Sequence, residues 1–132
     1  MKTVWKNGCF DILHRGHIEM FKFAKSLGDQ LIVGLDTDEK VKEAKGSDRP
    51  FNTLADRELI VASIRYVDKT ISFNSQKQLE DLIKSIKPDI LVVGSDWEGK
   101  YVVGAEYARD VVFFPRIDGY STTKVLENDN LR

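Results

Sequence analysis

Short, unbroken apolar runs alternate along this chain with stretches of helical period, and that alternation restricts the fold more than any other feature. The runs are Thr3–Lys6, Gln30–Leu35, Lys69–Phe73, Ile90–Val93 and Val111–Phe114. Continuous rather than alternating apolarity marks strands covered on both faces. Between the runs, Ile18, Met20, Phe21, Phe23, Ala24 and Leu27 recur near helical spacing, with Gly28 placed as a C-cap. Thr53 is placed to cap a helix carrying Leu59, Ile60, Ala62, Ser63 and Ile64. Leu79, Leu82, Ile83 and Ile86 form a third stripe, ended by Pro88. A short helix is expected over Val103–Ala108, and a last one from near Ser121 into the polar Asn128–Arg132 tail. The stretch from Asp38 to Asn52, with Lys40, Lys42, Lys45, Gly46, Arg49 and Pro50, reads as a long basic loop. The pattern predicts an α/β fold: one doubly wound (Rossmann-like) parallel five-stranded sheet flanked by helices. In such sheets ligands bind beyond the carboxyl ends of the strands, at the topological switch point.

A chain of 132 residues fits one domain over residues 1–132 and buries enough surface to need no metal or disulfide staple. Twenty basic and twenty-one acidic residues leave a net charge of −1, so no global field attracts nucleic acid or anionic membrane. The single cysteine forms no intrachain disulfide, which favours a reducing, cytoplasmic setting. Met1 to His17 lacks the apolar core of a secretory signal, and no apolar run approaches the length of a membrane span. No nucleic-acid or membrane partner is expected.

The run Asn7-Gly8-Cys9-Phe10-Asp11-Ile12-Leu13-His14-Arg15-Gly16-His17 joins the first strand to the first helix. Helix-terminal N–H groups favour an anion there. Gly8 permits close backbone approach. Both of the chain's histidines sit here, three apart, on one side of the turn into the helix. Structural histidines are one reading, and a metal pair completed by Asp11 or Cys9 is a second, although zinc-type spacing is missing. The third is a pair of imidazole donors to a phosphate, which fits location, spacing and glycines together. Cys9 and Phe10 flank the same turn; the thiol reads as packing rather than reactive. A second glycine-rich run, Gly94 to Lys100, matches most of a P-loop, but Tyr101 stands where the magnesium-binding hydroxyl belongs.

The first run resembles the G-x-F-D-x-x-H-x-G-H element of the cytidylyltransferase-like branch of the nucleotidyltransferases. Arg116-Ile117-Asp118-Gly119-Tyr120-Ser121-Thr122-Thr123 resembles that branch's R-T-E-G-I-S-T-T motif. The resemblance implies attack of a phosphate oxygen on the α-phosphorus of a nucleoside triphosphate, with release of pyrophosphate. The nucleophile is already an anion, so positioning and electrostatics carry the catalysis. By this resemblance His14, His17 and Arg116 are catalytic. Arg57, Asp96, Ser121, Thr122 and Thr123 are expected to contact nucleotide or phosphates; Gly8, Cys9 and Phe10 of the first run are expected there too, and Lys42 and Lys45 of the basic loop are expected to close over the phosphates or the second substrate. Magnesium accompanies the triphosphate, held mostly by phosphates and water, with no protein cage of its own. A homodimer is expected from the same resemblance.

Base and acceptor are indicated by different segments. Arg116 and Asp96-Trp97-Glu98-Gly99-Lys100 resemble glycerol-3-phosphate cytidylyltransferases, and with the compact length they point to CTP and a small polyol phosphate. Asn7 to His14, Lys45 to Asn52 and Val103-Gly104-Ala105-Glu106 resemble heptose-1-phosphate adenylyltransferases instead. The expectation is CTP with an acceptor such as glycerol 3-phosphate. The alternatives are ATP with a sugar 1-phosphate, or a nucleotide-binding module without turnover.

Overall fold

The structure is a computed structural model and describes residues 1–115. Five strands, β1 (Thr3–Gly8), β2 (Gln30–Asp36), β3 (Lys69–Phe73), β4 (Ile90–Gly94) and β5 (Asp110–Phe114), form one sheet. All pairings are parallel and the order is β3-β2-β1-β4-β5. The chain therefore winds outward from β1 in one direction, then returns past it and winds the other way. That reversal puts the switch point between β1 and β4.

Among the described residues four α-helices cover the sheet: α1 (Arg15–Ser26), α2 (Asp38–Lys45), α3 (Leu54–Ala62) and α4 (Gln76–Ile86). On one face Met20, Phe21 and Ala24 of α1 and Val61 of α3 pack on Val4, Leu31, Val33, Leu35, Ile90 and Val92. On the other, Leu79 and Ile83 of α4 pack on Trp5, Phe73, Leu91 and Val93. Trp5 and Phe21 are fully buried, each worth about 1.5–3 kcal/mol or more of transfer free energy. Strands buried on both faces explain the continuous apolar runs.

Three sequence expectations are corrected. The segment read as a basic loop begins with α2, which Thr37 caps by accepting from the Lys40 N–H. Asp38 and Glu39 in its first turn and Lys42 and Lys45 in its last match the helix dipole. In α3 the buried residues are Arg57 and Val61, while Leu59 and Ile60 are exposed and Ile64 lies beyond the helix. Val103–Ala108 holds only a 3-10 turn, Ala105–Tyr107. The helix expected near Ser121 lies outside the described residues.

Gly28 has a different reason from the one its position suggested. The C-cap of α1 is Leu27, and Gly28 has no positive φ. A Cβ on Gly28 would stand 2.8 Å from both the Lys2 carbonyl oxygen and Val4 Cγ2. Glycine is thus required for the backbone to cross β1 closely. Gly28→Ala should destabilise the protein by about 1–3 kcal/mol, read as a lowered urea midpoint. Gly94→Ala is the control, since a Cβ there meets no described atom within 4 Å; equal midpoints for the two variants would contradict this account.

Candidate active site

β1 and β4 pair only at Val4–Ile90 and Trp5–Leu91, although β1 runs on to Gly8 and β4 to Gly94. Beyond Trp5 the strands part, and a cavity of about 470 Å³ opens there. Its wall includes Gly8, Cys9, Phe10, His14, His17, Lys45 and Asp96. A second cavity of about 530 Å³ shares Lys6 through Cys9, Lys45 and Trp97 with the first. It extends over Asp36, Lys40, Gln76 and the apolar Leu79, Val93, Val102 and Val103. The carboxyl end of β1 is the ridge between them.

The turn from β1 into α1 is held by buried polar groups. Asp11 is 4% exposed; its carboxylate accepts from the Phe51 N–H at 2.6 Å, the Asn52 N–H at 2.8 Å and Arg49 Nε at 3.2 Å. Asn52 Nδ2 donates back to the Asp11 carbonyl at 2.9 Å. Arg57 is fully buried and donates to the Cys9 carbonyl, the Asn52 carbonyl and Asp38 Oδ1, the last at 2.7 Å. Its donors are thus engaged within the protein, and it lines neither cavity, so the phosphate role expected for Arg57 is replaced by one of fixing the turn. Phe10 takes a left-handed conformation with φ 52° and packs its ring on Phe21 and His17. Gly8 makes room for that ring, because a Cβ there would lie 3.0 Å from Phe10 Cζ.

His14 is the N-cap of α1. Its Nδ1 accepts from the Gly16 N–H at 3.0 Å, and His17 Nδ1 accepts from the His14 N–H at 3.1 Å. A ring nitrogen that accepts from a backbone N–H carries no proton, so in the neutral imidazoles the proton sits on Nε2. The rings lie 4.0 Å apart, centre to centre, in the wall of one cavity. Burial lowers the His17 pKa to about 4, helped by His14, Lys6 and Lys45. His17 is therefore a neutral donor at physiological pH. Burial also pushes the Cys9 thiol up, against the influence of Lys45 and Arg57, which disfavours the thiolate there.

Among the other expected residues, Asp96 joins the histidines in the first cavity, beside the half-exposed Trp97. Lys42 is exposed on α2 and lines neither cavity, so its expected phosphate contact is not supported. Arg116, Ser121, Thr122 and Thr123 lie outside the described residues. The P-loop-like run forms a 3-10 turn, Ser95–Trp97, followed by no α-helix among the described residues. Lys6, Asn7 and Arg49 belong to the cavity wall and were missed, and Asp11, weighed only as a metal ligand, belongs to it too. Among the described residues no group of His, Cys, Asp and Glu is arranged to hold a metal, and no helix is long and apolar enough to cross a membrane.

A doubly wound sheet with its cavity at the switch point and two histidines at the first helix start defines a class of small-ligand α/β proteins. The chain belongs to the cytidylyltransferase-like family, whose model matches residues 5–128. It is 50% identical over 127 residues to the bifunctional protein HldE of Helicobacter hepaticus, and 49% identical over 123 residues to that of Campylobacter fetus. These matches cover 96% and 93% of this chain but only 26% and 27% of the relatives, so the chain spans about a quarter of their length. Its fold matches the crystal structure of a lipopolysaccharide core biosynthesis protein from Thermoplasma volcanium. The TM-score is 0.69 at 29% identity, over 92% of this chain and 99% of the other.

Two outcomes follow from this geometry. Asp11→Ala strands buried N–H donors and should cost roughly 3 kcal/mol, seen in urea denaturation; a change under about 0.5 kcal/mol would contradict the anchoring role. His17 is depressed in the folded state, from 6.5 to about 4. The unfolded chain therefore binds more protons between those values, and stability falls as pH drops through that window. His17→Gln should lose less stability than the wild type between pH 6.5 and 4; parallel melting curves would contradict it.

Proposed function

We propose that this chain is a nucleotidyltransferase that joins the AMP part of ATP to a sugar 1-phosphate of heptose type, releasing pyrophosphate. The observation that carries the transferase reading is the pair of imidazoles with Nε2 protons in one cavity at the switch point. The choice of ATP and sugar phosphate is supported by the HldE relatives. Residues Asn7 to His14 and Lys45 to Asn52, which resemble heptose-1-phosphate adenylyltransferases, form the turn and its clamp. This replaces the expectation of CTP and glycerol 3-phosphate. The reading carries with it one catalytic unit over residues 1–132, a cytoplasmic setting and a homodimer.

In this mechanism the first cavity takes the triphosphate and the second the acceptor; both volumes suit small ligands. An acceptor phosphate oxygen forms a bond to the α-phosphorus as the bond to the bridging oxygen breaks, and pyrophosphate leaves with the electron pair. The acceptor is an anion at neutral pH and needs no general base. His14 and His17 donate Nε2–H bonds to α-phosphate oxygens, where charge grows in the transition state. Lys45 and the N-terminus of α1 add positive potential. A magnesium ion would arrive with the triphosphate, held mostly by phosphates and water, and Asp96 in the first cavity is the carboxylate that would reach it. Such an ion would neutralise phosphate charge.

Pyrophosphate release is measured with magnesium, each of the four nucleoside triphosphates, and heptose 1-phosphate or glycerol 3-phosphate. ATP with heptose 1-phosphate should be the productive pair. Preference for CTP with glycerol 3-phosphate would return the reading to the cytidylyl alternative, and nucleotide binding without product from any pair would leave a binding module. His17→Ala should lower kcat by about 10²–10³ with the circular dichroism spectrum unchanged; near-normal turnover would remove the histidines from the mechanism.

A further inference from the structure

Lys6 is a cation in a strand otherwise built for burial. It is the first residue of β1 beyond the last pair with β4, Trp5–Leu91, while it still pairs with Val33 on the β2 side. Its backbone is thus fixed on one side where the sheet opens on the other. Lys6 borders both cavities. Lys45 also lines both, but from the exposed last turn of α2, whereas Lys6 is half-buried in the central strand.

The surrounding charges do not neutralise it. Asp36 pairs with Lys40 at 3.3 Å, and Asp11 is taken by Arg49 and two backbone N–H groups. Lys45 adds positive rather than negative character, His17 is neutral, and Asp96 stands across on the β4 side. Among the described residues the Lys6 side chain makes no ion pair or hydrogen bond. Burial accordingly lowers its amine to about 8. An ammonium group held this way carries a desolvation cost that a bound anion would offset.

We propose that Lys6 is a catalytic residue that contacts the phosphate of the acceptor and the α-phosphate of the nucleotide together, bridging the two cavities. The inference rests on the adenylyltransferase reading and adds a residue to it. Two phosphates that must come within bonding distance repel each other, and a cation between them offsets that repulsion where it is largest. Lys6 keeps its proton throughout, so the step balances as already written.

The test compares the full chain with Lys6→Met and Lys6→Arg. Pyrophosphate release gives kcat and the two KM values, and calorimetric titration gives affinities for α,β-methylene-ATP and heptose 1-phosphate separately. Lys6→Met should lower kcat by about 100-fold and weaken both ligands, while the melting temperature of the ligand-free protein stays equal or rises. Lys6→Arg should restore both affinities but only part of kcat, because its fork is differently placed. A Lys6→Met variant with kcat and both affinities within about two-fold of wild type overturns the proposal. A lowered melting temperature with unchanged affinities does so too, since it marks a structural lysine. A wild type that binds both ligands without releasing pyrophosphate sinks the adenylyltransferase reading instead; loss of both affinities in Lys6→Met then still supports the bridge.

Discussion

The carboxylate of Asp11, buried and accepting from two backbone N–H groups and Arg49, ties the turn after β1 to the segment that leads into α3. Everything at the site depends on that tie. A turn of this kind contains a non-glycine residue at positive φ, Phe10, a conformation that costs free energy unless surrounding contacts determine it. Arg57 completes the clamp from the other side by holding the Cys9 carbonyl. The charge of Arg57 is itself buried, with its guanidinium donating to two carbonyls and to Asp38. Removing one member leaves the others unpaired in a place water does not reach, so the network acts as a unit.

Rigidity here has a chemical use. Both imidazoles spend Nδ1 on the backbone at the start of α1, and this fixes the tautomer and orientation of each ring. Burial then keeps His17 neutral, so it stands as a hydrogen-bond donor without a competing protonation step near neutral pH. A site that catalyses by electrostatics gains from donors already in place, since they need not reorganise as charge develops. The parting of β1 from β4 supplies the room, and the two faces of the sheet supply two cavities with one shared ridge.

Much of this was legible in the residues. All five strands lie where continuous apolar runs placed them, because burial on both faces leaves that mark. The histidine run was legible for a similar reason, since a helix start, glycines and paired imidazoles all fall within a few residues. Helix α2 was hidden because it buries only Val41 and so has no apolar period, although its capping threonine and charge order are visible in retrospect. The buried face of α3 was misread because Arg57 owes its burial to Cys9, Asn52 and Asp38, distant or differently placed partners that spacing does not reveal. Lys6 was passed over as the end of an apolar run; only the point at which β1 leaves β4 makes it a site residue. The roles expected for Arg116 and for Ser121–Thr123 fall outside the described residues.

The most direct measurement is a crystal structure of the full chain with magnesium and α,β-methylene-ATP, which cannot be cleaved at the reacting bond. The α-phosphate oxygens are expected within about 3.2 Å of Nε2 of both His14 and His17, with Asp11 and Arg57 still holding the turn. A triphosphate bound outside the β1–β4 crevice, or rings turned so that Nδ1 rather than Nε2 meets it, would contradict the account.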